Sequence, residues 1–483
     1  MQHFTRRQFC RTAAAAAGLG LTGCLPNTRL RQPDRPTGPN IIYILADDLG
    51  YADLSCYGQA KFTTPNIDKL ATEGLKFTQH YAGSTVCAPS RCSLMTGLHT
   101  GHCQIRGNKG TKPEGQWPLQ AGTWTVARML QNAGYATGAF GKWGLGSPAV
   151  EGSDGDPNSQ GFKYFFGYNC QSQAHKYYPR YLWRNRHKVN LPDNDPEKQS
   201  GQYAHDLIVL EAFDFIQEHR GGPFFVYLPV TIPHAELTAP ADSLAKYEGK
   251  YPEPKPFTPG NERGYGTQMQ PRAAFAAMVD RLDGDVGRLL DLLKELGIDD
   301  NTIVMFSSDN GPHREGGADP DFFDSNGPMQ GYKRDLYEGG IRVPMLVRWP
   351  GKIAAGGTTE HISAFWDVLP TLAELAGVEA PAETDGISFA PTLLRQGEQK
   401  QHEYLYWEFH EQGGKQAVRM GPWKGVRLNV MKSANAPIEL YDLLNDLGET
   451  RDLAAQHPEV VAMMADIMQQ AHEPNQVFPF FSI

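Results

Sequence analysis

The sequence predicts an α/β fold: a large, mostly parallel sheet flanked by helices, with a smaller C-terminal antiparallel sheet subdomain. Three observations carry this. Continuous apolar runs rich in β-branched and aromatic residues, the mark of strands buried on both faces, alternate with stretches of helical spacing. Four of those runs end in polar or ionisable residues. Beyond roughly residue 381 the pattern changes to short strands and one helix.

The first strand is Ile41-Ile42-Tyr43-Ile44-Leu45, running into Ala46-Asp47-Asp48-Leu49-Gly50. Helical spacing from Thr125 to Asn132 stops at Gly134, and Tyr135 to Phe140 reads as a strand leading into Gly141-Lys142-Trp143. An amphipathic helix over 204–218 precedes a strand from Phe224 to Val230, which runs into Thr231-Ile232-Pro233-His234. A long helix from about Arg272 to Leu296 precedes Thr302 to Phe306 and then Ser307-Ser308-Asp309-Asn310-Gly311. A helix between Glu360 and Gly377 closes the main unit. Four short strands follow, 404–409, 415–420, 423–428 and 438–441, and then a helix around Val460 to His472. The domain expectation is an export segment over 1–23, a Pro-rich tether over 24–39, a catalytic domain over 40–380 and the α+β subdomain over 381–483.

In a parallel sheet the carboxyl ends of the strands share one rim, where open α/β sheets bind ligands. That places Asp47, Asp48, Lys142, His234, Asp309 and Asn310 at one edge, although hundreds of positions separate them. Three carboxylates and a neutral amide oxygen suit a hard divalent cation, whereas zinc or copper recruits His or Cys.

The 483 residues carry a formal net charge of −9; the first 23 hold three arginines and no acid, so the remainder carries −12. Such a surface argues against nucleic acid and repels a sulfated polymer, so any anion site has to be a local basic pocket. Thr5-Arg6-Arg7-Gln8-Phe9 is a twin-arginine export pattern, and the apolar run after it is too short to span a bilayer. Leu21-Thr22-Gly23-Cys24 resembles a bacterial lipobox, making Cys24 the lipidated first residue of an exported protein in the periplasm or at the cell surface, held to the membrane only through that lipid. Apart from Cys10, the lipobox Cys24 and Cys87, the remaining four cysteines are Cys56, Cys92, Cys103 and Cys170, available for disulfides in an oxidising compartment.

Cys87-Ala88-Pro89-Ser90-Arg91 leads into Cys92-Ser93-Leu94-Met95-Thr96-Gly97. Pro89 suits the start of a helix, which sets Cys87 just before a helix N-terminus, where anions bind and thiol pKa falls. Arg91 adds a cation.

This pattern, Cys-x-Pro-Ser-Arg followed by Met-Thr-Gly, resembles the signature of the formylglycine-dependent sulfatases, the arylsulfatase family within the alkaline phosphatase superfamily. Gly134 to Trp143 and Gly331-Tyr332-Lys333-Arg334-Asp335-Leu336-Tyr337-Glu338-Gly339-Gly340 resemble two further family patterns. The resemblance implies an alkaline phosphatase-like fold and a Cys87 oxidised to formylglycine by a maturation enzyme. It implies Ca²⁺ on Asp47, Asp48, Asp309, Asn310 and the oxygen at position 87. Lys142, Lys333 and Arg91 would clamp the sulfate, and His234 would protonate the leaving oxygen. The family commonly has a histidine two residues after the lysine of Gly141-Lys142-Trp143, and this chain has Gly144; His175 or His313 is the expected substitute. Tyr177, Tyr178 and Trp183 are candidates for stacking on sugar rings.

The expected substrate is a sulfated carbohydrate. The segment from His99-Thr100-Gly101-His102 to Arg106-Gly107-Asn108 resembles sulfatases acting on galactose or N-acetylgalactosamine sulfates. Competing readings are a formylglycine-dependent phosphonate or phosphodiester hydrolase and a non-catalytic lipoprotein that binds sulfated glycan.

Overall fold

The computed structural model describes residues 38–259 and 264–480. The twin-arginine pattern, the lipobox with Cys24 and most of the Pro-rich tether lie outside them.

Among the described residues, eleven strands form the large sheet: β1 (Asn40–Ala46), β2 (Leu75–Tyr81), β3 (Ala136–Lys142), β4 (Tyr164–Tyr168), β5 (Tyr181–Arg184), β6 (His187–Asn190), β7 (Phe224–Pro229), β8 (Thr302–Ser308), β9 (Arg342–Arg348), β10 (Gly357–Thr359) and β11 (Ser363–Ala364). Their order is β10-β2-β9-β8-β1-β7-β3-β4-β5-β6, with β11 paired to β2. At the centre β8, β1, β7 and β3 are mutually parallel, so Asp47, Asp309, Lys142 and the segment after β7 emerge at one rim. β9 runs antiparallel between β8 and β2, and β4, β5 and β6 finish the other side as an antiparallel meander.

Alternation along β1 explains why every residue of it is apolar apart from Asn40. Ile42, Ile44 and Ala46 face a core that includes the helices Ala204–His219 and Pro271–Glu295. Ile41, Tyr43 and Leu45 face a second core built with Cys87–Thr96, Val126–Asn132 and Val368–Ala376. A strand covered on both faces has no solvent side on which to place polar residues. Thr125 caps its helix, its hydroxyl accepting the Arg128 N–H at 3.1 Å.

β12 (Leu405–Phe409), β13 (Lys415–Met420), β14 (Trp423–Leu428) and β15 (Ile438–Asp442) form the small antiparallel sheet, with the helix Pro458–Gln470 against it. It joins the main unit through a buried polar knot. Lys424 Nζ donates to Glu338 Oε1 at 2.8 Å and Glu449 Oε1 at 3.3 Å, Tyr81 Oη donates to Glu338 Oε2 at 2.7 Å, and Arg342 reaches the same oxygen at 3.1 Å. Around it Trp407 packs on Trp366 and donates to the Ala82 carbonyl at 2.9 Å. The small sheet is thus bonded to β2 and to the approach to β9.

Several element boundaries differ from expectation. The strand ending in Lys142 runs two residues past Phe140, so Lys142 belongs to the sheet and not to a following loop. The closing helix starts only at Phe365, because residues 363–364 are taken by β11. Cys56, Cys87, Cys92, Cys103 and Cys170 are all free thiols. No helix among the described residues is long and apolar enough to cross a membrane.

Candidate active site

The turn after β1 carries two adjacent carboxylates in opposed directions because Asp48 adopts a left-handed backbone (φ 63°), which Asp tolerates better than most residues. Bonds to neighbouring strand ends fix that turn: the Asp47 N–H donates to the Ile232 carbonyl at 3.0 Å, the Asp48 N–H to Asp309 Oδ1 at 3.1 Å and the Leu49 N–H to Ser308 Oγ at 2.9 Å. Asp47, Asp48, Asp309 and Asn310 are all completely buried. Asn310 Nδ2 donates to Asp48 Oδ1 at 2.7 Å, while Asn310 Oδ1 is buried without a hydrogen-bond partner.

Cys87 is the first residue of its helix, with Val86 at the N-cap and Pro89 in the first turn, where its missing N–H costs nothing. Its Sγ lies 3.4 Å from Asp47 Oδ1 and 3.2 Å from Lys142 Nζ. The helix end does not make this thiol acidic as expected. Burial and the charge of Asp47 push its pKa well up, outweighing Lys142 and Lys333.

Lys142 Nζ donates to Asp47 Oδ2 at 2.7 Å; burial opposes its charge, but Asp47 and Cys87 raise its pKa. Burial would raise Asp47, and Lys142, Arg91 and Lys333 reverse that and hold it at about 2. Lys333 Nζ donates to Asp48 Oδ2 at 2.7 Å and to His234 Nε2 at 3.1 Å, with Glu315 at 3.5 Å. Burial works against its charge too, yet Asp48, Cys87 and Glu315 keep it firmly protonated.

One expectation is corrected. Arg91 is not placed to clamp a sulfate: it is fully buried behind the carboxylates, donating to Asp309 Oδ2 at 2.8 and 3.0 Å and to the Lys142 carbonyl. A guanidinium fork satisfies one carboxylate and one carbonyl at once, so Arg91 orients Asp309 and the end of β3. His234 is held beside Lys333. Its Nδ1 donates to the Ala235 carbonyl, leaving Nε2 as acceptor for Lys333, and burial with Lys333 drives its pKa well down.

Cys87, His175, His234 and Lys333 share the wall of a cavity of about 380 Å³, together with Asn108, Glu114, Gln171, Tyr265, Glu315 and Arg334. His175 stacks on His234 at 4.8 Å between ring centroids, and burial with nearby Lys142 lowers its pKa to about 4. His313 stacks behind His234 at 5.6 Å and lies outside the cavity wall. Tyr177, Tyr178 and Trp183 are core residues; the Tyr177 hydroxyl donates to the Thr231 and His234 carbonyls and so holds the segment after β7. Gln171, Tyr265, Glu315 and Glu114 were not read from the sequence. Only Glu315, close behind Asp309-Asn310-Gly311, carried a signal.

Residues 39–378 match the sulfatase family model. This chain belongs to the sulfatase family. The sulfatase is a sulfuric ester hydrolase, and residues 330–475 match a second model, N-sulphoglucosamine sulphohydrolase, C-terminal. It is 30% identical to the N-acetylgalactosamine-6-O-sulfatase of Bacteroides thetaiotaomicron over 93% of this chain and 96% of that protein. To human arylsulfatase A it is 33% identical, covering 89% and 87% respectively. The crystal structure of Ps i-CgsB superposes with a TM-score of 0.75 at 29% identity, over 90% of this chain and 92% of that one.

Proposed function

We propose that this sulfatase removes sulfate from a sulfated glycan, using formylglycine derived from Cys87 and a bound Ca²⁺. The observation that carries the reading is the convergence of Cys87 and Lys333 on one cavity, with Lys142 3.2 Å behind Cys87 Sγ and Asp47, Asp48, Asp309 and Asn310 buried beneath them. The relatives named above support carbohydrate as the substrate, and an N-acetylgalactosamine or galactose sulfate is the first class to test.

The donor set fits calcium: three buried carboxylates plus the orphaned Asn310 Oδ1, all hard oxygens. Held there, the ion supplies positive charge against the sulfate oxygens. Oxidised, residue 87 supplies a hydrated aldehyde, one hydroxyl as nucleophile and the other for sulfate release. The chain does the rest. Lys142 and Lys333 flank position 87 with fixed ammonium groups that balance the charge developing on the transferred group. Lys333, backed by the His234 Nε2 lone pair, holds the proton nearest the leaving oxygen. Arg91 orients Asp309 and opposes the burial and the neighbouring Asp47 charge that push its carboxyl up to about 7. Glu315 anchors Lys333 from the cavity side, its carboxyl held well down by Lys333 against burial.

The export pattern and the lipobox-like Cys24 place the mature enzyme, in this proposal, at the cell surface or in the periplasm. The test is to produce the protein with a formylglycine-generating enzyme, measure the mass of the peptide containing residue 87, and screen defined sulfated saccharides for sulfate release. An aldehyde at position 87 and release from a saccharide sulfate are expected. Unmodified Cys87 in an active enzyme, or preference for phosphonate or phosphodiester substrates, would refute it.

A further inference from the structure

Position 144 has a backbone φ of +75° and faces a side chain from elsewhere in the chain. A Cβ there would come within 2.9 Å of Gln171 Nε2. Gln171 opens the short helix Gln171–Ala174, reached from the end of β4, which pairs with β3 beside Lys142. The residue is 8% exposed, and it lines the same cavity as Cys87, His175, His234 and Lys333. Its Nε2, which carries two N–H donors, has no hydrogen-bond partner.

A buried amide nitrogen without an acceptor is costly, on the order of 1–3 kcal/mol in general. Such groups are rare in folded proteins and call for an explanation. Here the rest of the cavity wall supplies one. The same wall carries Cys87 and the cations Lys333 and Arg334, with Glu315 tied to both cations, and the torsion that aims the Gln amide is a soft sp³–sp² rotation. Gly144 provides the room: with no Cβ it lets the amide lie across the backbone two residues beyond Lys142.

We propose that Gln171 is a substrate-binding residue that donates an N–H from Nε2 to a sulfate oxygen, filling through space the position left by the missing side chain at Gly144. It rests on the sulfatase reading above and adds to it a specific donor. His313 does not take this place, since its Nε2 is directed to the Pro233 carbonyl at 3.3 Å behind the wall, whereas His175 shares the cavity wall with Gln171, stacked on His234.

The test uses the matured enzyme with calcium and compares wild type with Gln171→Met, which keeps length and volume and removes the donors. Two quantities are read: kcat/KM for the substrate found by the saccharide screen, and the affinity for inorganic sulfate by calorimetry, which needs no turnover. Loss of a hydrogen bond to a charged group predicts a fall of about ten- to a hundredfold in kcat/KM and a weakening of sulfate binding. The double variant Gln171→Ala/Gly144→His should recover part of both, since His is among the residues that tolerate a left-handed backbone. Wild-type values of both quantities in Gln171→Met overturn the proposal. Should Gln171→Met prove unfolded by circular dichroism, Gln171→Glu serves instead, with the same two losses expected and unchanged sulfate affinity counting against it. A wild type that binds sulfate through Gln171 but cleaves no saccharide sulfate would sink the substrate assignment and leave this contact standing.

Discussion

Lys142 is aimed at position 87 by a place where two strands approach more closely than any side chain permits. Gly141 sits at φ +133°, and a Cβ there would lie 2.0 Å from the Pro229 carbonyl oxygen on β7. Gly141→Ala therefore carries two penalties. A non-glycine residue in that backbone region costs about 1–3 kcal/mol. Moving β7 or β3 aside to remove the overlap costs about another 1–3 kcal/mol. For a chain of 483 residues the unfolding entropy is about 1 kcal/mol/K, so the combined loss of about 2–6 kcal/mol lowers Tm by about 2–6 °C. The effect on activity should be larger than the effect on stability. A displacement of order 1 Å at Lys142 costs about a hundredfold in kcat/KM. Differential scanning calorimetry and steady-state kinetics on one preparation measure both, with Gly284→Ala as control. Gly284 lies in the helix Pro271–Glu295 with open space where its Cβ would be, so that change should stabilise by about 1 kcal/mol and leave kinetics unchanged. If Gly141→Ala retains wild-type Tm and kcat/KM, the strand contact is not what places Lys142.

Three further expectations follow from the same structure. Arg91→Met strands Asp309 without its fork and should destabilise the protein by about 3–5 kcal/mol, with Arg91→Lys recovering little because one ammonium cannot reproduce the planar pair of bonds; denaturant titration measures both. Burial raises Asp53 to about 6, so the folded state holds that proton more tightly than the unfolded chain. Its contribution to stability falls as pH rises from about 4 to about 6 and is flat above, a loss of about 3 kcal/mol that Asp53→Asn should abolish in urea unfolding at pH 4, 5, 6 and 7. Calcium should raise Tm of the wild type in proportion to the logarithm of its concentration once above Kd, and Asn310→Ala should weaken that response; an identical response in the variant removes Asn310 from the ligand set.

The central strands were legible because each is buried on both faces and therefore written as an unbroken apolar run. Their ends were legible because the polar residues begin where the sheet stops. β9 was not read: Pro344 sits in its middle, and a proline there argues against a strand. β2 mixes polar and apolar residues and signals little. The buried carboxylates and the lysines could be read from their local patterns, but the difference between Arg91 and Lys333 could not. Both are cations near Cys87 in the sequence logic, and only packing shows that one faces the cavity and the other supports Asp309 from behind. Gln171 carries no motif. It matters because Gly144 faces it, a relation between two loops that spacing along the chain does not contain.

The knot of Glu338, Lys424 and Glu449 bears on how this molecule comes apart. Lys424 bridges Glu338 of the main unit and Glu449 of the small subdomain, so peeling the small sheet from the large one breaks a fully buried ion pair and opens its polar surroundings. The change of pattern near residue 381 is then a seam in the writing and not a line of cleavage: heating should give one cooperative endotherm across both sheets. A chain shortened to its first 380 residues should be recovered as aggregate, with Glu338 and the indole of Trp366 facing water.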